Sequence, residues 1–199
     1  MNERKSDSFE GLKPVSIHIG GVFASAHPTL VRTVLGSCIA VCLRDPAARV
    51  GGMNHFMLPA NAPEESVSAR YGVHAMELLI NEIMSLGGDR GRLEAKIFGG
   101  GHVLKIRESD GNVPQSNIRF AREFLSVENI PITARDLGGY AAREVYFFTE
   151  TGRVLMKRLP RTGQADDPRL EEMERAERQR LRQLTTAAHA ADDSNVTLF

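Results

Sequence analysis

Two residues in this chain have the chemistry to break an amide bond together: Cys38, which ends the run Thr33-Val-Leu-Gly-Ser-Cys38, and His55, within Gly52-Met-Asn-His55-Phe-Met-Leu-Pro59. A free thiol titrates near pH 8.5 and is mostly protonated at neutral pH; an adjacent imidazole stabilises the thiolate, which is the attacking species. Whether the two meet is a question of hairpin register. Cys38–Leu43 is apolar and β-rich, Asp45-Pro46 opens a turn, and Arg49–Pro59 reads as the returning strand. A four-residue loop at Asp45–Ala48 would pair Arg44 with Arg49 and set Cys38 opposite His55. Directly opposed residues have Cα atoms about 4.5–5.5 Å apart and share a face. A slip of one residue would turn the imidazole away, so the pairing depends on register. Gly36-Ser37, just ahead of Cys38, places the sulfur at a sharp entry to its strand. Backbone N–H groups there could face an oxyanion, and Gly36 would admit a substrate backbone.

A cysteine on an apolar strand is usually core packing. Cys42 takes that reading, whereas for Cys38 the turn and the histidine weigh the catalytic and structural readings evenly. Four residues along a strand separate the two by about 13 Å, too far for a disulfide. Cys38 is therefore expected to alkylate much faster than Cys42. Ser37 has no third partner and is a poorer nucleophile than a thiol. His18, His27, His74, His102 and His189 lack metal-ligand spacing, and Gly99-Gly100-Gly101 lacks the Lys-Ser/Thr ending of a phosphate loop, so no metal or cofactor is expected.

The elements that must position this pair can be read along the chain. Val15–Phe23, Leu30–Leu35, Cys38–Leu43, Arg49–Pro59, Leu93–Phe98, Ile130–Leu137, Glu144–Phe148 and Arg153–Leu159 read as strands. Gly138-Gly139 joins the sixth of these to the seventh, and Thr151-Gly152 turns the last hairpin. Tyr71–Leu86 has helical periodicity through Val73, Met76, Leu79, Ile80 and Ile83; Val113–Val127 has it through Ile118, Phe120, Phe124 and Leu125. This divides the chain into a leader (1–14), one domain (15–162) and an extension (163–199). In the extension Asp167-Pro168 starts a Glu/Arg-dense helix expected to be solvated and peripheral, and the chain ends in Val-Thr-Leu-Phe199, an apolar peptide that could dock on a partner.

The 199 residues carry 25 basic and 25 acidic side chains, a net charge of zero, which argues against non-specific binding to nucleic acid or anionic membrane. No apolar run approaches the roughly 20 residues of a membrane span, so neither insertion nor secretion is expected and the cytoplasm is the expected location.

With these motifs in place, residues 15–160 resemble the CheD family of chemoreceptor glutamine deamidases, through the cysteine and histidine runs above, Lys96-Ile-Phe-Gly-Gly100 and Asp136-Leu-Gly-Gly139 leading to Thr151-Gly152. The resemblance implies an α/β fold of two packed β-sheets with helices on one side. It implies that Cys38 attacks a receptor glutamine, that His55 is base and acid, and that Thr33 completes the site. Gly36 and Ser37 would support the oxyanion, and Asn54 and Phe98 would lie on the substrate side. Methyl-accepting chemotaxis receptors would be the substrates, and a CheC-type phosphatase a further partner. Two rivals stand beside this. One is a non-enzymatic docking module for such a phosphatase or receptor; the other is a methylesterase or cysteine peptidase using the same nucleophile.

Overall fold

The computed structural model describes residues 13–58, 67–103, 112–159, 172–180 and 183. Among the described residues nine strands form two sheets. The first, in the order β1-β3-β8-β9, contains β1 (Val15–Ser16), β3 (Leu30–Leu35), β8 (Arg143–Phe148) and β9 (Val154–Arg158). The second, β2-β5-β4-β6-β7, contains β2 (Val22–Ser25), β5 (Val50–Phe56), β4 (Ile39–Asp45), β6 (Glu94–Gly99) and β7 (Ile132–Leu137). β1 with β3 and β6 with β7 pair in parallel; the other pairs are antiparallel.

The five-stranded sheet is covered on both faces, which explains why β4 is apolar at almost every position. Ile39, Val41 and Leu43 point towards α1 (Val67–Ser85) and α2 (Val113–Val127), packing with Met76, Leu79, Ile80 and Ile83 and with Ile118, Ala121 and Leu125. Cys38, Ala40 and Cys42 point the other way, into a second core shared with Val31, Leu35, Val145 and Phe147 of the four-stranded sheet. The fold is thus helices on one side of two packed sheets, as the resemblance implied.

Several expectations change. The first expected strand is two: β1 and β2 belong to different sheets and Gly20-Gly21 lies between them. Gly138-Gly139 likewise passes the chain from one sheet to the other, because β7 pairs with β6 while β8 pairs with β3 and β9. Val73, read as part of the apolar face of α1, is 42% exposed. The extension contains a third helix, α3 (172–180), and it is not peripheral: Glu174 is fully buried. Its expected start at Asp167-Pro168, the C-terminal peptide and residues 1–12 lie outside the described residues.

Candidate active site

The hairpin between β4 and β5 differs in register from the sequence expectation. Asp45 stays in its strand opposite Val50, and its carboxylate accepts the N–H groups of Ala47 and Ala48 at 2.9 and 3.1 Å. The loop is therefore 46–49, closed by Arg49 in the left-handed region at φ 57°. Ala40, not Cys38, faces His55, and Arg44 faces Gly51 rather than Arg49. The pairing moves by two positions, an even step that preserves the face of every side chain. Cys38 and His55 remain on one face of the sheet as diagonal rather than direct neighbours. Met57 lies across from Cys38, with its Sδ 3.8 Å from the cysteine Sγ.

Cys38 ends the connection from β3 to β4, where the chain leaves one sheet for the other. That connection is tied down on three sides. Gly100 and Gly101 donate their N–H groups to the carbonyls of Cys38 and Gly36 at 2.7 and 2.8 Å, and Asn117 of α2 donates to the carbonyl of Ser37 at 2.9 Å. Asn117 also accepts the N–H of Leu58 at 2.7 Å. Gly99 has φ +118°, and a Cβ built there would stand 2.1 Å from the Cys38 carbonyl oxygen. Behind these glycines, buried Arg143 bonds Asp136 at 2.5 Å, the Gly99 carbonyl at 3.3 Å and the Gly138 carbonyl. The glycine turns are thus joined into one floor beneath the cysteine.

His55 is 2% exposed and held from two directions. Its backbone N–H donates to Gly21 and its carbonyl accepts from Gly20, at 3.0 and 2.7 Å. Its Nδ1 lies 2.8 Å from Thr33 Oγ1, on β3 of the opposite sheet. The threonine hydroxyl donates its single hydrogen to the Ile17 carbonyl at 2.9 Å, so it can only accept from the imidazole. Nδ1 therefore carries the proton and Nε2 the lone pair. Nε2 is buried and has no hydrogen-bond partner among the described residues. Burial, with a smaller contribution from His18, lowers the His55 pKa to about 3, keeping the ring neutral.

The Ser37 N–H donates to Oε1 of Glu174 at 2.7 Å, the Ser37 hydroxyl donates to Oε2 at 2.7 Å, and the Cys38 thiol approaches Oε1 at 3.8 Å. Burial first, and the Glu174 charge second, push the Cys38 thiol well above its ordinary value. Burial raises the Glu174 carboxyl against the opposing pull of the Ser37 hydrogen bonds. In this arrangement both cysteines are at most 1% exposed, so the seated structure gives neither thiol an advantage in access.

The structure therefore brings Cys38, Ser37, Gly36, His55 and Thr33 to one place. Phe98 lies in the same core as Cys38. Asn54 does not belong there: its Oδ1 accepts the Val41 N–H at 3.1 Å and its Nδ2 donates to the Ala75 carbonyl at 3.0 Å, on the helical face of the sheet. Its task is to tie β4 and β5 to α1. Three residues escaped sequence reasoning. Asn117 had a signal, a polar side chain between Pro114, Ile118 and Ala121 on an apolar helical stripe. Arg143 and Glu174 had none: Arg143 reads as half of an adjacent pair with Glu144, and Glu174 stands in a run of charges.

Comparison with known proteins returns one family. The family model described as CheD chemotactic sensory transduction matches residues 57–158. A protein of Laribacter hongkongensis is 44% identical over 193 residues, covering 94% of this chain and 88% of its own length. Proteins of Stenotrophomonas maltophilia K279a and Xanthomonas campestris pv. campestris B100 are 49% and 50% identical over 138 residues, each match covering 69% of both chains. All three carry the name "Probable chemoreceptor glutamine deamidase CheD". The family-model match begins just beyond His55, whereas the Laribacter match is long enough to take in Cys38, His55 and α3.

Proposed function

Since this chain belongs to the CheD family of chemotactic sensory transduction proteins, we propose that it deamidates glutamine side chains of chemoreceptors, with Cys38 as nucleophile and His55 as base. The observation that supports the site assignment is the Thr33–His55 hydrogen bond, which leaves an unengaged Nε2 lone pair on the sheet face that also bears Cys38.

With a receptor glutamine in the site, His55 Nε2 takes the thiol proton. The sulfur attacks the side-chain carbonyl carbon, and the negative charge moves onto oxygen, where the Ser37 N–H can donate to it. Collapse of this intermediate breaks the C–N bond, and ammonia leaves with the proton returned by His55. Water, deprotonated by the same imidazole, then cleaves the thioester to give glutamate and restore the thiol. One water is consumed and one ammonia released per glutamine. Of the two proposed reacting groups the Thr33 hydroxyl touches only the imidazole, so it is a positioning residue that fixes the tautomer.

The test is incubation of the chain with receptor cytoplasmic fragments, following ammonia release and peptide mass. Deamidation adds about one dalton per site by way of the thioester, and Cys38→Ala abolishes it. Loss of methanol would mean a methylesterase, and backbone scission a peptidase. Receptor binding without any mass change, insensitive to Cys38→Ala, would leave only a docking module. The reading places the reaction in the cytoplasm and makes a CheC-type phosphatase a candidate second partner, testable by co-purification.

A further inference from the structure

We propose that α3 is a built-in product analogue: Glu174 occupies the pocket in which Cys38 receives a substrate carboxamide, and Ser37 is the residue that reads that group. The proposal rests on the deamidase reading and deepens it. A glutamate side chain has the length and shape of glutamine, and it is what deamidation leaves behind. Glu174 is fully buried, with Oε1 on the Ser37 N–H and Oε2 on the Ser37 hydroxyl, both at 2.7 Å, and with Oε1 3.8 Å from Cys38 Sγ. A carboxamide fits the same two contacts. Its oxygen accepts the N–H, and its NH₂ donates to the Ser37 hydroxyl, which can accept as well as donate. Gly36 makes the space, because a Cβ there would stand 2.2 Å from Glu174 Oε1. Arg178, one turn further along α3, donates to Ser37 Oγ at 3.2 Å and lies 3.8 Å from Glu174 Oε2, partly offsetting the buried charge.

While α3 is seated, substrate has no access and the thiol faces a carboxylate that opposes its ionisation. Among the described residues, what holds α3 is chiefly polar. Among residues 172–180 only Glu174 is buried, and Met173, the one large apolar side chain there, is 38% exposed. With little apolar area buried by residues 172–180, the helix can yield to a segment that offers a neutral carboxamide in place of a buried carboxylate. The resting chain is latent, and displacement of α3 exposes Cys38.

Two substitutions in the full chain test this. In Glu174→Ala, iodoacetamide should label Cys38 at least about tenfold faster than in the parent, as expected when the open population grows by that factor. Cys42 should stay unlabelled, showing the core intact. An unchanged Cys38 rate overturns the proposal, and this readout requires no deamidase activity. In Glu174→Gln, the seated side chain becomes a substrate in cis. Mass spectrometry should show residue 174 returning to glutamate with one ammonia per chain, and Cys38→Ala in the same chain should prevent it. A glutamine that persists at this position in a chain still able to deamidate receptor overturns the product-analogue assignment and leaves the proposed function standing. A Glu174→Ala chain that leaves receptor glutamines unchanged sinks the proposed function, and the alkylation rate still decides whether Glu174 covers Cys38.

Discussion

Thr33 and His55 belong to different sheets, yet their side chains meet at 2.8 Å, and the direction of that hydrogen bond is fixed because the threonine hydrogen is committed to Ile17. Two ordinary hydrogen bonds thereby decide which imidazole nitrogen can act as a base.

The consequence can be measured. Thr33→Val removes the acceptor and frees the ring, so kcat for ammonia release should fall by about one to two orders of magnitude, a part of the roughly 10²–10⁴-fold that a general base contributes. Thr33→Ser should restore most of it. KM should barely move in either variant, because the hydroxyl touches the imidazole and not the substrate.

Acid should destabilise the fold in two stages. His55 titrates at about 3 in the folded chain and near 6.5 unfolded, so the unfolded state binds the extra proton throughout that interval. Stability is full above pH 6.5 and declines as pH falls towards 3. Asp45, held far below the usual carboxylate range chiefly by Arg92, adds a further loss below about pH 4. Urea midpoints followed from pH 8 to pH 3.5 should show this decline, and His55→Gln should flatten its upper part.

Asn54 should matter for folding and not for turnover. Asn54→Ala takes the side-chain acceptor from the Val41 N–H and the extra donor from the helical Ala75 carbonyl inside the core, a cost of about 1–3 kcal/mol. Denaturant unfolding should register that loss, while activity per folded molecule stays near the parent value. A collapse in kcat with unaltered stability would instead return Asn54 to the substrate side.

Gly99→Ala should be among the most damaging single-methyl changes available. The new Cβ would collide with the Cys38 carbonyl on a backbone already at φ +118°. A loss of about 2–4 kcal/mol is expected, with ammonia release falling further than the folded fraction, because the collision displaces the peptide of Cys38, the proposed nucleophile. Thermal unfolding and activity of the same sample check both parts.

Much of the fold is legible in the sequence because period and punctuation agree. The strand Leu30–Leu35 and the helix Val113–Val127 have the bounds their patterns predict. The face shared by Cys38 and His55 is legible as well, although the loop lies one residue further along than the turn signal suggests. Asp45 remains in its strand and caps the turn with its own carboxylate, and a register error of two cannot change a face. What sequence could not supply was anything decided between distant elements. Whether Gly20-Gly21 and Gly138-Gly139 join strands of one sheet or of two depends on partners far away in the chain. Asn54 alternates with His55, so its direction follows from the pleat once His55 is placed, but the helix carbonyl awaiting it does not. Glu174 sits in a run of charges whose periodicity marks a solvated helix, and only the backbone of Ser37 sets it apart.

The crossover at Cys38 carries one last implication. Sulfur and imidazole are borne by one sheet, the threonine that aims the imidazole by the other, and the turn presenting the sulfur is the strap between the two. Under the proposed assignment, catalytic competence is a property of the seam. A partly folded chain with either sheet formed alone would hold every required residue and still be inert, so turnover should vanish at the first loosening of the sandwich, ahead of any loss of helix.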